Sequence, residues 1–574
     1  MPALKLSYDY LSFHQQQCFF YSALFPEDHE YSTTELINLW IGLDILQPGT
    51  QNQTLEDVGL MNLNDLVTHG FFKEEETNGR VRYVMHDLLH DLALKVGSHE
   101  CLTVHHSNVG SVEIKPSIRH LSIIIDDDHT MSDESFKSQL RKLKTGLKVK
   151  ELHTLMLFGE MDESFAQILD YLFKEANALR FIRLVDMPSF VGPILPNNSA
   201  LVHLRYLCLG TKYTREIPLA ISKFYHLRIL DLGWWHGCCD LLKDLSNLAK
   251  LRRFYTPSDE LHSHIYNVGK LTLLEELKVF KVNKESEGFE PEQLEHLTEL
   301  RELGMYNLEN IHTKEEANKA KLIEKNYLER LTLDWDTERS NNEPNVEGVV
   351  LESLEPHRYL QELSIRGHGG PSCPTWLGDK LTVEALQSLH LVGVSWQCLP
   401  SFGKMWDLHT LILKHIAAMK VFVIEQTFCG LRRLELVGLA NFEKWVPIPS
   451  EDVHHMFPLL QVLVIRDCPK LLELPFSNRI VYPLDQDRNI DWFPKLQELQ
   501  IENCPEFLSV AHIPWTETLH SVKIRGVNLL EKLEYSKSSY RVGLEVVGKG
   551  DLQVLDQVLA FNNLAGLEQL MLSA

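Results

Sequence analysis

The frame Leu-x-x-Leu-x-Leu recurs through the last three quarters of this 574-residue chain, and no other feature constrains its fold as strongly. Most successive units begin 22 to 29 residues apart, which is the period of a leucine-rich repeat. Clear units begin at Leu152, Leu204, Leu227, Leu274, Leu300, Leu328, Leu360, Leu386, Leu408, Leu431, Leu460, Leu496 and Leu567, with weaker ones at Leu179, Leu251 and Leu519. Because one such unit cannot bury its apolar face alone, the units must stack into a solenoid with a shared core.

Each unit predicts a short strand of a parallel sheet in which alternate side chains point to opposite faces. In the unit at Leu360, the pattern places Leu363 and Ile365 in the core. The side chains between such core positions are expected on the concave face, where they are chemically mixed and suit protein recognition rather than catalysis. The candidate ligand contacts are Glu362, Ser364, Arg366, His390, Lys414, Arg433, Glu435 and Gln500.

Two units extend the frame to a cysteine, Cys468 or Cys504. In this repeat class, the final position holds a small polar group or a thiol that is hydrogen-bonded to the backbone of the turn. The chain has ten cysteines and no Cys-x-x-Cys pair, so we expect reduced, mostly buried thiols in an intracellular protein. A catalytic thiol is not expected, since the sequence places no basic partner beside either residue.

Residues 1 to 100 lack the leucine frame and show helical periodicity with explicit helix caps. Two capping boxes, Ser32-x-x-Glu35 and Thr54-x-x-Asp57, each precede a helical pattern of apolar residues. Farther along, Asn78-Gly79 lies between two strand-like runs, which is the strongest short signal for a β-hairpin. Helices followed by a hairpin predict a winged-helix domain.

The predicted fold class is therefore α/β, with a winged-helix domain followed by a curved repeat solenoid that carries a parallel sheet. We place the winged-helix domain at residues 1–100, a polar linker at 101–117 and the solenoid at 118–574. Residues 118–125 are expected to form the first strand of the solenoid. A lysine- and alanine-rich stretch, 313–326, predicts a helix on its convex side.

The charge of the chain argues against nucleic acid as a partner. Its formal net charge of -23 would repel a phosphate backbone and an acidic membrane surface. The first 100 residues carry five basic side chains against fifteen carboxylates, so the winged helix lacks a basic recognition helix. With no signal peptide and no run of 18 apolar residues, we expect a cytoplasmic protein without a membrane span.

Two enzyme classes have sequence motifs that can be compared with this chain. No Gly-x-x-x-x-Gly-Lys-Ser/Thr sequence occurs, so the chain alone is not expected to bind or hydrolyse ATP, and no cofactor is expected for it. The segment from His86 to His90 places two imidazoles one helical turn apart, which superficially resembles a zinc hydrolase. Asp87 stands where such enzymes have glutamate, and no third ligand follows at a characteristic spacing, so we expect no metal.

Three segments resemble, in order, the winged-helix module of plant nucleotide-binding leucine-rich-repeat immune receptors of the coiled-coil class. They are residues 18–28 with the sequence Phe-Pro-Glu-Asp at their end, residues 36–41 with Trp40, and residues 84–93 with Met-His-Asp. The repeats are similar to the same receptors around residues 316–335 and 354–377. The resemblance covers essentially the whole chain and implies a disease-resistance protein that acts by binding.

In this family the Met-His-Asp motif reports the nucleotide state, and by position it falls on Met85, His86 and Asp87. The resemblance implies that His86 contacts the phosphate of bound ADP and that Asp87 holds the local turn and the helix start. It also implies that the repeats recognise a pathogen effector or a guarded host protein and hold the receptor closed. Replacing His86 or Asp87 would then weaken the closed state.

The resemblance further implies domains that this chain lacks, namely a signalling domain, a P-loop domain and a helical domain before the winged helix. ADP or ATP would bind only in such a full-length receptor. The chain is expected to be either a fragment of that receptor or a truncated product. The alternative function is an adaptor or decoy that acts in trans with the nucleotide-binding domain of an intact receptor.

Overall fold

A computed structural model of the chain describes the two compact units Met1–Glu276 and Leu277–Ala574. The described residues are 2–47, 53–77, 80–105, 114–125, 146–159, 166–185, 201–210, 221, 223–233, 242–339, 343–424, 426–447, 456–474, 492–507, 518–528, 530–538, 541–548 and 569–573.

The first unit begins with a helical module whose caps are the ones that the sequence predicts. Ser32 accepts a hydrogen bond from the Glu35 amide, and Thr54 forms a complete capping box with Asp57. An additional capping box, Ser12 with Gln15, opens the second helix. The helices are α1 (Pro2–Asp9), α2 (Phe13–Tyr21), α3 (Thr33–Gly42), α4 (Leu55–Thr68) and α5 (Asp87–Gly97).

The predicted hairpin is formed by the antiparallel strands β1 (Lys73–Thr77) and β2 (Arg80–Val84). Its turn, Asn78-Gly79, lies outside the described residues. A further antiparallel bridge joins Tyr31 to Tyr83, so the strands pack beside the start of α3. This arrangement of helices and a wing confirms the winged-helix fold.

The first unit also contains a seven-stranded parallel sheet that continues directly from the winged helix. It starts earlier than predicted, because Cys101–His105 forms a strand in register with His120–Ile124. Part of the segment predicted as a linker, and not residues 118–125, therefore supplies the first strand. The strands are β3 (Cys101–His105), β4 (His120–Ile124), β5 (Thr154–Phe158), β6 (Phe181–Leu184), β7 (Tyr206–Leu209), β8 (Ile229–Asp231) and β9 (Arg253–Tyr255).

The second unit is built around a thirteen-stranded sheet, which is parallel up to β21. Equivalent leucines of adjacent repeats are in register, such as Leu331, Leu363 and Leu389, so the core runs continuously from repeat to repeat. The strands of this sheet are β10 (Glu276–Lys281), β11 (Glu302–Tyr306), β12 (Arg330–Asp334), β13 (Glu362–Arg366), β14 (Ser388–Val392), β15 (Thr410–Lys414), β17 (Arg433–Val437), β19 (Val462–Arg466), β20 (Glu498–Glu502), β21 (Ser521–Arg525), β22 (Leu530–Ser538), β23 (Arg541–Gly548) and β24 (Gln569–Ser573).

The remaining elements lie outside these two sheets. The strands β16 (Val421–Ile424) and β18 (Lys444–Pro447) form a separate parallel pair. In the part of the chain that the structure describes, three helices connect strands: α6 (Ala166–Glu175), α7 (Lys314–Asn318) and α8 (Pro344–Ser353). The predicted helix at 313–326 is shorter than expected, since α7 ends at Asn318 and a 3-10 turn over Leu322–Glu324 follows it.

A residue in the left-handed backbone region follows directly after most strands of the second sheet. It allows the chain to turn sharply out of the sheet, and it is usually glycine, asparagine or aspartate. At Gly367 a Cβ atom would lie 2.2 Å from the carbonyl oxygen of Trp335, so only glycine fits there. The residues with this conformation are Asn307, Gly367, Gly393, His415, Gly438, Asp467, Asn503 and Gly526.

The two predicted turn thiols are buried and contact backbone carbonyls. Cys468 Sγ lies 3.3 Å from the Arg466 oxygen, and Cys504 Sγ lies 3.4 Å from the Glu502 oxygen. Each thiol thus bonds the end of its own strand, as the repeat pattern predicts.

Candidate functional site

The winged helix packs on the face of the first sheet that the repeat pattern leaves outside the solenoid core. One buried cluster joins the apolar residues of α2, α3 and α4 to side chains from successive strands. These side chains stand between the core leucines of their repeats, and would face solvent if the winged helix were absent. They are Met156, Phe181, Tyr206, Cys208 and Ile229.

The end of α3 makes the closest approach to this sheet. The rings of Phe181 and Tyr206, on adjacent strands, stack in parallel with their centroids 4.1 Å apart. A Cβ atom at Gly42 would lie 2.7 Å from the Phe181 ring and 3.0 Å from Tyr206 Cβ. Glycine at the end of α3 therefore lets the helix backbone contact both rings directly.

Charged pairs surround this apolar contact, and one that is largely buried is Glu35 with Arg183. Arg183 Nη2 lies 3.1 Å from Glu35 Oε1, and its guanidinium stands over the ring of Phe158 at 4.6 Å. His29 Nε2 is 3.0 Å from the other carboxylate oxygen. Burial tends to raise the pKa of Glu35, but the contacts with His29 and Arg183 lower it below its usual value.

Asp44 forms a second pair at the edge of the contact, where its carboxylate is half-exposed. Arg205 and Arg228 lie 2.5 and 3.1 Å from its two oxygens. Burial opposes ionisation of Asp44, yet the two guanidinium groups lower its pKa. Asp44 has a φ of 65°, and Asp28 has a φ of 62°. Both lie in the left-handed backbone region, which aspartate tolerates.

Arg253 forms the third and most connected pair. Its guanidinium lies 2.7 Å from Glu56 of α4 and 2.8 Å from Glu275, and its Nη1 is 3.4 Å from Asn38 of α3. Only 10% of the Arg253 side chain is exposed, so its removal would leave two carboxylates with little solvent. Across the whole contact, the winged helix supplies carboxylates and the strands supply guanidinium groups.

His120 of β4 forms a neutral polar contact at the other end of the surface. Its Nε2 is 3.3 Å from the Tyr21 hydroxyl and its Nδ1 is 2.8 Å from Thr154 Oγ1. Burial, together with the charges of Arg119 and Arg180 and the neighbouring His153, lowers the pKa of His120 to about 3. The imidazole is therefore neutral in the folded protein at ordinary pH.

The sequence predicts none of these contacts individually, although it contains a signal for the basic partners. Glu35 was predicted only as a capping residue, whereas its carboxylate bonds Arg183 and His29. A Leu-Arg pair immediately precedes each of the strands β6 to β9, and this recurrence could have predicted a row of basic residues along the sheet. The acidic partners have no such period, because they come from separate helices.

The Met-His-Asp motif lies at the junction of β2 and α5. Met85 is buried, whereas His86 and Asp87 are exposed. His86 is the residue that caps α5, with its Nδ1 accepting a hydrogen bond from the Leu88 amide at 3.2 Å. Asp87 is the first residue of α5 and supplies an acidic side chain to the first turn of the helix.

The zinc alternative requires His90, whose imidazole points into the winged-helix core. His90 Nε2 is 3.1 Å from the Phe25 carbonyl oxygen, and the residue is buried. Among the described residues, no group of three or more His, Cys, Asp or Glu side chains is placed to hold a metal ion.

The candidate ligand contacts lie together on the second sheet in three rows that cross the strands. One row contains Ser364, His390 and Glu435, and a neighbouring row contains Arg366 and Lys414. Three of the candidates are exposed, and His390, Lys414, Glu435 and Gln500 are half-buried. The exposed candidates are Glu362, Arg366 and Arg433.

One candidate is wrongly placed by the sequence pattern. Ser364 is buried, because the Arg366 side chain lies beside it and donates from Nε to Ser364 Oγ at 3.1 Å. Neighbouring candidates also bond one another, since Glu435 lies 2.7 Å from Arg433 and 3.3 Å from Lys414. The surface is thus a set of mutually oriented charges.

The fold and this internal contact define a leucine-rich-repeat protein with a winged-helix module packed on its repeats. The family model of the disease resistance protein winged helix domain matches residues 24–93, and the model of R13L1/DRL21 leucine-rich repeats matches residues 292–416. Disease resistance protein At3g14460 of Arabidopsis thaliana is 28% identical over 504 residues, which cover 82% of this chain and 34% of that protein. Disease resistance protein RGA2 of Solanum bulbocastanum is 29% identical over 491 residues, covering 82% and 45%.

Both family models and both relatives are of plant disease resistance proteins, and the chain is similar to their winged-helix and leucine-rich-repeat regions. It spans less than half the length of the relatives described above. Within the described residues, no helix combines the length and the apolar character needed to cross a membrane.

Proposed function

We propose that the chain is part of an intracellular plant immune receptor in which the first repeats hold the winged helix inactive and later repeats recognise a pathogen effector or a guarded host protein. One observation carries this proposal. The outward face of the first sheet is buried under the winged helix, whereas the same face of the second sheet carries exposed, mutually oriented charges. The two sheets have the same repeat pattern, but the outward face is covered on the first sheet and exposed on the second.

The charged pairs of the first unit support a contact that can open. A buried apolar interface of similar area would hold without ion pairs, and ion pairs contribute orientation more than stability. Three carboxylates of the winged helix each have a guanidinium partner on the sheet, so docking is oriented by charge as well as by the stacked rings. A ligand that binds the separated form better would shift the equilibrium towards it.

The nucleotide step is proposed for a longer receptor only. There, Met85, His86 and Asp87 would report the nucleotide state, and exposed His86 is available to donate to a phosphate once it no longer caps α5. The chain itself is proposed to act by binding, with no catalytic activity and no cofactor. The buried free thiols of Cys468 and Cys504 support a reducing compartment, so we place the protein in the cytoplasm.

The test uses a full-length receptor of this family that carries these 574 residues, expressed in leaf tissue. Replacing Arg183 and Arg253 together by glutamine removes two buried guanidinium groups from the winged-helix contact. We expect cell death without any pathogen, because the closed form loses its oriented pairs.

The matched control replaces Arg301 and Arg330 by glutamine, which removes two arginines of the second sheet that also have carboxylate partners. This control is expected to stay silent at equal protein level. If the first variant also stays silent, the first repeats do not restrain the winged helix. An adaptor or decoy that acts in trans with an intact receptor would then be the better interpretation.

A further inference from the structure

The residue that immediately precedes each strand of the first sheet is basic over six consecutive strands. These positions are directly adjacent across the sheet, since the amide of each residue donates to the carbonyl of the one before it at 2.7 to 2.8 Å. Neighbouring members are therefore about 4.8 Å apart. We call this row the basic edge, and it consists of Arg119, His153, Arg180, Arg205, Arg228 and Arg252.

Every member of the half of the basic edge beside β7 to β9 already has a carboxylate partner. Arg205 and Arg228 share the Asp44 carboxylate, and Arg252 lies 3.0 Å from Glu275. Each guanidinium in this half binds a carboxylate, so the row is suited to binding oxygen anions.

The other half has a surplus of cations. Arg119 and Lys148 share one carboxylate, that of Glu151. Arg180 is half-buried and makes no ion pair with any described residue, and the same holds for the exposed Lys150 in the turn before β5. Besides Glu151, the acidic side chain nearest along the row is Glu100, which precedes β3. Among the described residues of this half, four cations thus face two carboxylates, in a chain whose overall charge is strongly negative.

We propose that this open half of the basic edge, formed by Arg119, Lys148, Lys150, His153 and Arg180, binds a small molecule or headgroup that carries two or more phosphate groups. This site is independent of the immune function proposed above. The chemistry is shared by free phosphate esters and by phosphorylated lipid headgroups, which the experiment distinguishes.

The size of the open half favours phosphates over an acidic peptide. Arg119 and Arg180 are two strands apart, so the row offers about 10 Å of length. An extended peptide presents side chains on one face about 7 Å apart, which places only two single charges in that length. Two phosphates bring a charge of about -3 to -4 and accept the paired donors of a guanidinium group.

The lowered pKa of His153 agrees with a site that has an excess of positive charge. Burial, followed by the charges of Arg180 and Arg119, lowers the pKa of His153, and Glu151 compensates only in part. A bound anion would favour the protonated imidazole, so the pKa of His153 should rise when the site is filled.

Calorimetric titration of the complete chain with pyrophosphate at low salt tests the proposal. We expect saturable binding of one equivalent, which weakens as salt is raised. Arg180→Gln should weaken binding about tenfold, since it removes a charge-assisted contact with phosphate. Lys150→Gln is a second variant, at an exposed site that contributes no side chain to the core, and it should weaken binding severalfold.

The matched control is Arg432→Gln, because Arg432 occupies the same position of a repeat in the second unit and is exposed. Its neighbours in the row are His409 and Gln461, so it lies outside any basic cluster there. The control should bind pyrophosphate as the parent does. In the parent, His153 should titrate at higher pH with pyrophosphate present than without it.

Sedimentation with phosphatidylcholine vesicles, with and without phosphatidylinositol bisphosphate, identifies the source. Binding to the vesicles that contain the phosphorylated lipid indicates a headgroup, and binding of pyrophosphate alone indicates a free ester. The proposal is overturned if pyrophosphate does not saturate, if Arg432→Gln weakens it as much as Arg180→Gln, or if only a polyglutamate peptide binds.

Discussion

The contact between Arg253 and the winged helix allows a quantitative test of how the first unit is held together. Arg253→Gln keeps most of the side-chain volume and removes the guanidinium that lies between Glu56 and Glu275. Both carboxylates are largely shielded from solvent, with 16% and 6% of their side chains exposed. Breaking a buried ion pair by removing one partner costs about 3 to 5 kcal/mol.

The lower end of that range applies here, because Glu275 keeps a second partner in Arg252 at 3.0 Å. A loss of about 3 kcal/mol corresponds to roughly a hundredfold increase in the open population. Amide hydrogen exchange of α3 and α4 in the complete chain measures this opening directly. We expect protection of both helices to fall by about that factor, while the strands of the second unit keep theirs.

Arg252→Gln is the matched control, since it makes the same change one residue earlier on a side chain that is 33% exposed. A pair of this kind contributes about 1 kcal/mol or less, so protection should change less than about fivefold. The reasoning is refuted if Arg253→Gln leaves α3 and α4 as protected as in the parent, or if both variants have equal effects.

Three further predictions concern other parts of the chain. The pKa of His120 is about 3 in the folded protein, against 6.5 for a free imidazole. The stability that the neutral imidazole contributes to the fold is therefore complete above about pH 6.5 and is lost as pH falls towards 3. Hydrogen exchange of β4 should therefore show about 2 kcal/mol less stability at pH 5 than at pH 6.5. His120→Gln should remove most of that difference and leave the part that comes from His153, whose pKa burial also lowers. Gly367→Ala should lower the melting temperature through a loss of about 2 kcal/mol or more, whereas Gly348→Ala, in a helix with open space around the glycine, should raise it slightly. Arg366→Glu should abolish ligand recognition in a full-length receptor without causing spontaneous cell death. Lys404→Glu, an exposed change outside the sheet, should neither abolish recognition nor cause cell death. Spontaneous cell death with Arg366→Glu would contradict the separate roles of the two sheets.

The repeats and the helix caps can be predicted from the sequence because each depends on residues that lie close together along the chain. A leucine frame fixes which side chains enter the shared core, and Ser32 and Thr54 bond amides only three residues away. The sequence pattern does not predict the first strand of the sheet, since Cys101–His105 is a short strand without a preceding leucine frame. Its identity as a strand depends on pairing with β4, which is a contact between residues nineteen apart in register.

Residue spacing is therefore enough to predict the repeat architecture, the winged helix and the set of side chains that leave the solenoid core. Which of those side chains are covered depends on the packing of distant segments. Phe181 and Ser364 occupy equivalent kinds of position, yet one is buried by α3 and the other by its neighbour Arg366. The physical reason is that a period of two residues fixes the face on which a side chain lies, whereas burial of that face depends on segments far away in sequence.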